Sequence, residues 1–290
     1  MPTRLPTIRN LETMIWKTKN REFDLRARGV IMGILNLTPD SFAGGGGFSS
    51  VEAAVEHALQ MESEGAEIID VGGESTRPGA DPVSEEEELA RVLPVLEALQ
   101  GRLKAAISID TYKPAVARAA IERGAEIVND ITALRAPEMA QVVAEGGAGL
   151  VLMHMKGMPK DMQESPWYGD LIPEVREFFR QRWLRALGSG IDPECIVFDP
   201  GIGFGKNSTH NLTLLRRLND LRVEGRPMVL GVSRKSFLGK LINNMEMEQR
   251  VGPTVAMTSL GRALGAQVFR VHDVKANVEA LRIADAILSP

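Results

Sequence analysis

The amino-acid sequence predicts an α/β fold, a single-domain (β/α)₈ TIM barrel, on the basis of three observations. Short runs rich in valine, isoleucine and leucine recur along the chain, and eight of them fall within residues 30–290. Stretches with the apolar periodicity of an amphipathic helix lie between or after these runs. Most runs are apolar throughout, as expected for parallel strands that are buried on both faces. Eight such strand and helix units are typical of a closed barrel.

The predicted elements follow one another in a regular order. The strands are predicted at 30–35, 67–71, 105–109, 126–128, 149–153, 195–198, 228–232 and 267–271, and clear helical patterns cover 51–64, 85–99 and 273–288. Residues 156–170 form a longer segment after the fifth strand, which we interpret as an insertion. An open doubly wound sheet would carry a dinucleotide-binding glycine fingerprint after its first strand. Here NLTPDSFAGGGG follows that strand, so we favour a barrel over 30–290, with 1–29 as an N-terminal extension that packs on it.

Composition and charge exclude several functional classes. With 290 residues, 44% hydrophobic and 25% charged, the chain has the composition of an ordinary soluble globular protein. Its net charge of −4 disfavours a general nucleic-acid role, because duplex binding requires a strongly basic surface. No apolar run approaches the ~20 residues that a membrane span needs. Residues 1–29 lack a continuous apolar segment and Cys195 is the one cysteine, so we expect a cytoplasmic protein.

Polar side chains follow every predicted strand, at the end of a barrel where active sites are found. In chain order they are Asn36, Thr38, Asp40 and Ser41; Asp70, Glu74, Thr76 and Arg77; Asp110; Asn129 and Asp130; His154; Asp199; Ser233, Arg234 and Lys235; and Arg270, His272 and Asp273. Helix capping and turn formation explain any single Asp, Asn, Ser or Thr in such a position. They do not explain Lys235, Arg270 or the two histidines, so the set as a whole predicts a ligand site.

Four of these residues suit the edge of a flat heterocycle. Asp110, Asn129 and Asp199 offer acceptors and an amide, and a carboxylate makes a two-point contact with adjacent ring N–H and amino groups. Lys235 would donate to a ring carbonyl or nitrogen.

Three further residues suit an anion and its metal ion. Arg270 and His272 are two residues apart on one strand, so their side chains share a face and can converge on phosphate oxygens. Asn36 offers a hard oxygen ligand, and Mg²⁺ usually binds through few protein ligands together with substrate phosphates. The sequence therefore predicts a Mg²⁺-assisted diphosphate site beside the ring.

Two glycine-rich stretches have different interpretations. GIGFGK at 201–206 lacks the Walker spacing, and we expect its glycines to let the backbone pass close to a bound ring. The four glycines at 44–47 predict a mobile flap over the site. His57 and His210 fall in helical patterns and are interpreted as surface or packing residues, and Cys195 as a core residue.

Eight ordered motifs resemble one known family. They are GILNLTPDSF, GAEIIDVGGESTRPGA, SIDTYKP, IVNDI, LMHMKGMP, FDPGIGFGKN, GVSRKSFLG and RVHDV, and together they resemble dihydropteroate synthases over about residues 30–288. The resemblance implies a (β/α)₈ fold, a homodimer and a transferase of folate biosynthesis that is a sulfonamide target. It also implies condensation of 6-hydroxymethyl-7,8-dihydropterin diphosphate with 4-aminobenzoate to 7,8-dihydropteroate, with diphosphate release assisted by Mg²⁺.

The resemblance also implies a role for each matching residue. The pterin would be held by Asp110, Asn129, Asp199, Lys235 and Arg270, with Met153 and Phe204 packed on or near its faces; Asn36, Arg270 and His272 would bind the diphosphate, Asn36 through Mg²⁺; and Phe42, Thr76, Arg77, Pro78 and Ser236 would surround the 4-aminobenzoate. Of these, Asp110, Asp199, Lys235, Arg270 and His272 would take part in catalysis.

One position departs from the family pattern. The family's first flap usually carries an acid where this chain has Gly44, and that acid is thought to help stabilise the reacting cation. A pterin-binding barrel with reduced catalysis is therefore the alternative interpretation. A methyltetrahydrofolate methyltransferase domain shares the barrel and the pterin pocket, but SRKSFLG and ESTRPG disfavour it. A generic phosphate-binding isomerase would not explain the eight motifs.

Overall fold

A computed structural model describes residues 14–38, 50–164 and 166–288. Its strands are β1 (Ile15–Lys17), β2 (Glu22–Asp24), β3 (Val30–Asn36), β4 (Ile68–Gly72), β5 (Ala106–Asp110), β6 (Ile127–Asp130), β7 (Gly149–Met153), β8 (Ile196–Asp199), β9 (Val229–Leu230) and β10 (Val268–Val271). Its helices are α1 (Val51–Ser63), α2 (Glu85–Leu99), α3 (Pro114–Glu122), α4 (Pro137–Gly146), α5 (Leu171–Gly188), α6 (Ser208–Arg216), α7 (Ser236–Leu241), α8 (Val251–Ala263) and α9 (Val274–Leu288).

The strands β3 to β10 form the predicted barrel. They pair in parallel in the order β8, β7, β6, β5, β4, β3, β10, β9, and a parallel bridge between Phe198 and Met228 joins the two ends of the sheet. The (β/α)₈ fold predicted from the sequence is thereby confirmed. In the described ranges, no helix has both the length and the hydrophobicity required to cross a membrane.

Local sequence signals set where the helices begin. The Ser50 and Ser84 side chains accept hydrogen bonds from the backbone N–H groups of Ala53 and Glu87, which caps α1 and α2. Four glutamates occupy the first turn of α2, where the helix dipole favours negative charge. Pro114 and Pro137 begin α3 and α4, a position in which the missing N–H costs nothing.

Most predicted strand bounds agree with the structure to within one or two residues, and the differences at the sixth and seventh barrel strands are described here. The seventh barrel strand, predicted over 228–232, is only Val229–Leu230, because the chain turns away at Gly231 toward the site. Cys195 does not begin a strand; it ends a 3₁₀ turn (Pro193–Cys195) immediately before β8, and it is buried as expected of a core residue.

The inside of the barrel is apolar at its N-terminal end. Each barrel strand contributes at least one buried residue to an inner cluster, which consists of Val30, Met32, Ile68, Ala106, Ile127, Val151, Val197, Val229 and Val268. The same cluster includes Met14, Trp16, Phe23 and Leu25 from the β1–β2 hairpin and its flanks. The hairpin therefore covers this end of the barrel. A second, larger apolar core fills the space between the strands and the outer helices.

Trp16 is the largest residue of the covering hairpin and is fully buried. Its indole Nε1 donates a hydrogen bond of 2.9 Å to the carbonyl oxygen of Cys195, and its ring lies 5.8 Å from that of Phe23. Gly149 begins β7 directly above it, where a Cβ would lie 3.2 Å from the indole nitrogen. The contact is therefore too close for a larger residue at 149.

We expect Trp16→Ala to lower the free energy of unfolding by about 3–5 kcal/mol, the usual cost of truncating a buried tryptophan. The comparison of urea midpoints by circular dichroism measures this change. Trp167→Ala is the matched control, because Trp167 is 71% exposed and its loss should shift the midpoint little. Equal midpoints for the two variants would contradict the role assigned to the hairpin.

Candidate active site

The inward-facing positions of the strands become polar toward their C-terminal ends. Side chains alternate between the two faces of a strand, so the residue two positions after an apolar inward residue also points inward. Two positions beyond the inner cluster lie Asp70, Asn129, Met153, Asp199 and Arg270. Four positions beyond it lie Asn36, Asp110, Ser233 and His272. These residues, most of them polar, thus lie on the same inward face of the strands as the apolar inner cluster, nearer the C-terminal ends.

A cavity of ≈ 1900 Å³ opens at this end of the barrel. The predicted site residues that line it are Asn36, Thr76, Arg77, Pro78, Asp110, Asn129, Met153, Asp199, Phe204, Lys235, Ser236, Arg270 and His272. Phe42 and Gly44 lie outside the described residues. The structure therefore brings together at one cavity the described residues to which the resemblance assigns a role, and each role stays a prediction. Of the polar residues at the strand ends, Asp70, Asp130 and His154 do not line this cavity.

Arg270 is held between two buried carboxylates. Its Nε donates to Asp70 Oδ2 and its Nη2 to Asp110 Oδ2, each at 2.6 Å. The amide Nδ2 of Asn129 donates to the same Asp70 oxygen at 3.1 Å. Burial raises the pKa of Asp110 to about 7, although the positive charge of Arg270 opposes the shift. Asp70, which is fully buried, thus links a predicted pterin ligand with a predicted diphosphate ligand.

Asp199 and Lys235 form the opposite side of the cavity. The Oδ1 atom of Asp199 accepts a hydrogen bond of 2.7 Å from the backbone N–H of Gly201. Lys235 donates from Nζ to the carbonyl oxygen of Ile202, and its Nζ lies 4.5 Å from the centre of the Phe204 ring. Burial lowers the pKa of Lys235 to about 8, while Asp199 favours the charged form. Burial also raises the pKa of Asp199, and Lys235 opposes that shift.

The loop over 200–207 is fixed by a buried ammonium group that the sequence analysis did not identify. Lys206 Nζ donates to the carbonyl oxygens of Gly201 at 3.0 Å, Phe204 at 2.8 Å and His154 at 3.1 Å. It also lies 2.9 Å from His154 Nδ1. The loop is therefore tied to the end of β7. No feature of the sequence distinguishes a lysine that is buried in this way from an exposed one.

Two glycines of this loop make room for neighbouring backbone, and the predicted approach to a bound ring stays a prediction. Gly201 and Gly205 have φ values of +61° and +62°, and a Cβ on them would lie 2.0 and 2.2 Å from the carbonyl oxygens of His154 and Lys156. Glycine is required there because the neighbouring backbone, and not a bound ring, occupies the space. Gly203 faces the side chain of Lys235 instead.

A second unpredicted lysine supports the loop that carries Thr76 and Arg77. Lys113 Nζ bonds to the carboxylates of both Glu74 and Glu88, and Tyr112 donates to Glu74 at 2.7 Å. Glu74 lies in the loop after β4, and Glu88 lies on α2. The base of this loop is therefore joined to α2 and to the loop that follows β5.

The ends of β9 and β10 are joined by two adjacent side-chain pairs. Ser233 Oγ lies 2.9 Å from His272 Nδ1. Arg234 donates to both carboxylate oxygens of Asp273, from Nε at 2.9 Å and from Nη2 at 2.5 Å. These pairs set the position of His272 at the edge of the cavity.

Comparison with known proteins agrees with this geometry. The family model described as "Pterin binding enzyme" matches residues 32–272. A dihydropteroate synthase of Escherichia coli K12 is 48% identical over 259 residues, which cover 89% of this chain and 92% of that protein.

Two solved structures extend the comparison. A Yersinia pestis dihydropteroate synthase with a sulfonamide drug complex has a TM-score of 0.90 and 45% identity, covering 96% of this chain and 100% of its own. A Xanthomonas albilineans dihydropteroate synthase with 4-aminobenzoic acid has a TM-score of 0.88 and 44% identity, covering 96% and 99%.

These matches extend over nearly the whole chain and agree in family, fold and activity. They confirm the synthase interpretation, including its place in folate synthesis and its relation to sulfonamide targets, and they give no support to the alternative of a barrel with reduced catalysis. The chain belongs to the dihydropteroate synthase family of pterin-binding transferases.

Proposed function

We propose that the cavity at the mouth of the barrel condenses 6-hydroxymethyl-7,8-dihydropterin diphosphate with 4-aminobenzoate, and that separate groups of its residues bind the pterin, the diphosphate and the 4-aminobenzoate. The observation that carries the proposal is the convergence of Asp110, Asn129, Asp199 and Lys235 on one cavity, with Arg270 and His272 beside them. The first four residues can bind a ring with hydrogen-bond donors along its edge, and Arg270 and His272 can bind an anionic group attached to that ring.

The free atoms of the pterin ligands match such a ring. Asp199 uses Oδ1 on the backbone of Gly201, so Oδ2 is left to accept from the ring. Asn129 uses its amide nitrogen on Asp70, so its carbonyl oxygen is left as an acceptor. Met153 and Phe204 line the same cavity and offer apolar contact to the ring faces.

The two other substrate groups have separate ligands. Arg270 uses Nε and Nη2 on carboxylates, which leaves Nη1 to bind diphosphate together with His272. Ser236 begins α7 and offers a hydroxyl to the carboxylate of 4-aminobenzoate. Thr76, Arg77 and Pro78 line the cavity on the side of the β4 loop, where they would close over that substrate.

The donor set of the cavity fits Mg²⁺ held mainly by the substrate. In the described ranges, no cluster of three or more His, Cys, Asp or Glu residues could hold a metal ion, and the Asn36 side chain makes no hydrogen bond. Asn36 would therefore supply one oxygen ligand, and diphosphate and water would complete the coordination. Bound there, Mg²⁺ would neutralise negative charge that develops on the leaving group.

The chain's own charges favour a dissociative reaction. As the bond between the methylene carbon and the diphosphate oxygen breaks, positive charge develops on the pterin. Asp110 and Asp199 line the cavity beside the ring and present negative charge to it when they are ionised. This charge stabilises the cation, which the amine nitrogen of 4-aminobenzoate attacks before it loses a proton.

Two features outside the cavity bear on assembly and location. Leu260 on α8 and Ile283 and Ile287 on α9 are 51%, 63% and 75% exposed, and the two helices pack against each other. This apolar surface supports a homodimer formed through α8 and α9. A single buried cysteine is in keeping with a cytoplasmic location, where disulfides are rare.

The pterin-binding role of Asp199 predicts that Asp199→Asn lowers kcat/KM for the pterin diphosphate by at least about hundredfold, or about 2.7 kcal/mol. The amide carries no negative charge, and with its oxygen on the backbone N–H of Gly201 it would present an NH₂ group to the ring in place of an acceptor. A coupled assay of diphosphate release with both substrates and Mg²⁺ measures the loss. Asp192→Asn, at the start of the 3₁₀ turn that precedes the same strand, is the control and should leave the rate unchanged.

Wild-type rates in Asp199→Asn would contradict this assignment. The same assay tests the function itself, because diphosphate release by the wild-type protein should require 4-aminobenzoate.

The pKa shifts predict a bell-shaped pH profile of kcat/KM. Asp110 is an effective carboxylate only above its raised pKa of about 7, so activity should rise through that pH. Lys235 keeps its proton only below its lowered pKa of about 8, so activity should fall above that pH. Lys235→Arg should move the alkaline limb to higher pH, because a guanidinium stays charged. An unchanged alkaline limb in that variant would exclude Lys235 as the titrating group.

The dimer proposal predicts that Ile283→Asp produces a monomer, because a carboxylate would be buried without a partner in the interface. Light scattering after size-exclusion chromatography measures the mass. Leu184→Asp on α5, where the side chain is 52% exposed, is the control and should leave the dimer intact. A wild-type monomer, or a dimer in both variants, would disprove this interface.

A further inference from the structure

Ser233 makes two contacts with the same residue of the neighbouring strand end. Its Oγ accepts a hydrogen bond of 3.1 Å from the backbone N–H of His272, and it lies 2.9 Å from the ring nitrogen Nδ1 of that histidine. Ser233 is buried, and both residues line the cavity. One hydroxyl thus contacts both the main chain and the side chain of His272.

The hydrogens of this contact can be counted. The Ser233 hydroxyl has one hydrogen to donate, and the backbone N–H already uses one of its lone pairs. Among the described residues, no other acceptor forms a hydrogen bond with Ser233 Oγ, so we assign this hydrogen to His272 Nδ1. A ring nitrogen that accepts cannot carry a hydrogen itself, so the hydrogen of a neutral ring must be on Nε2. No described residue forms a hydrogen bond with Nε2.

The surroundings of the ring favour its neutral form. Burial lowers the pKa of His272 to about 3, and the positive charges of Arg270, Arg234 and Arg77 act in the same direction. The carboxylate of Asp273 opposes them but is itself bound to Arg234. A neutral ring has a single N–H, so its position decides whether the cavity meets a donor or an acceptor.

We propose that Ser233 is a positioning residue for the synthase reaction: its hydroxyl keeps the hydrogen of His272 on Nε2, where it can be donated to a diphosphate oxygen. The inference rests on the proposed diphosphate site and deepens it. Arg270 supplies the charge there, and His272 supplies an oriented, uncharged donor. The opposite tautomer would direct a lone pair at the anion and repel it.

The Ser233 hydroxyl can be removed without separating the ends of β9 and β10, because other contacts also join them. The bidentate pair of Arg234 with Asp273 joins the same two strand ends. The backbone N–H of Arg234 also donates to Thr254 Oγ1 at 3.0 Å, which ties the loop to α8. Removal of the Ser233 hydroxyl should therefore leave the strand ends in place.

Long-range ¹H–¹⁵N correlation spectra of the histidine rings in the substrate-free protein test the tautomer. The chain has four histidines, and His272→Gln identifies the signals of this one. We expect wild-type Nδ1 at a shift typical of an unprotonated nitrogen and Nε2 at one typical of a protonated nitrogen. In Ser233→Ala the two nitrogens should approach each other in shift, because the ring samples both tautomers. A wild-type ring protonated on Nδ1, or identical spectra in the two proteins, would overturn the inference.

Kinetics test the consequence for the substrate. Ser233→Ala should raise KM for the pterin diphosphate about tenfold, since an oriented hydrogen bond is lost, while KM for 4-aminobenzoate changes little. Ser233→Thr keeps the hydroxyl and should restore both the spectrum and KM. Ser108→Ala is the control, because this buried serine on β5 has no hydrogen-bond partner in the described structure.

Different results would refute the positioning role of Ser233 and the synthase activity on which it rests. Equal KM values in Ser233→Ala and wild type, with diphosphate release intact, would overturn the positioning role and leave the synthase activity standing. A wild-type protein without diphosphate release would instead refute the proposed function. In that case the spectra still decide the position of the hydrogen.

Discussion

The ion pairs of Arg270 with Asp70 and Asp110 are the interaction on which the polar interior depends. The β1–β2 hairpin covers the other end of the barrel, so charged groups in the interior have little access to water from below. Buried ions remain charged only when they are paired, and loss of one partner leaves the others uncompensated. Without Arg270, the carboxylates of Asp70 and Asp110 would face each other, and the pKa of Asp110 would rise further, because the charge of Arg270 is what lowers it. The guanidinium therefore favours the ionised form of Asp110, which is the form that would accept hydrogen bonds from the ring.

The arrangement of the strands could be predicted from the sequence because its signals are local. Apolar runs identify parallel strands, and residues such as Asp110 and Asp199 follow them directly. The period of two within a strand explains why Ile68 and Asp70, or Val268 and Arg270, share a face with opposite character. A candidate site residue can thus be sought among the charged and amide side chains on the inward face of an otherwise apolar strand, near its C-terminal end.

The partners of those residues could not be predicted in the same way. Asp70 and Arg270 are 200 positions apart, and their contact exists only because β3 lies between β4 and β10 in the closed sheet. The contacts of Lys206 and Lys113 could not be predicted either, because the sequence around an isolated lysine in a polar loop does not indicate that its side chain is buried. The glycines near Lys206 were identified, but the sequence did not indicate that Gly201 and Gly205 make room for the carbonyl groups of His154 and Lys156.

The weakest part of the barrel is also where several functional residues make their contacts. β9 has two residues, and between β8 and β9 the sheet closes through a single bridge. Beyond that bridge, Lys235 bonds to the loop after β8, and Ser233 and Arg234 bond to residues after β10. Side chains thus replace the backbone ladder where it stops. Because these same side chains line the cavity, the distance between the pterin side and the diphosphate side is set by the contacts that close the barrel.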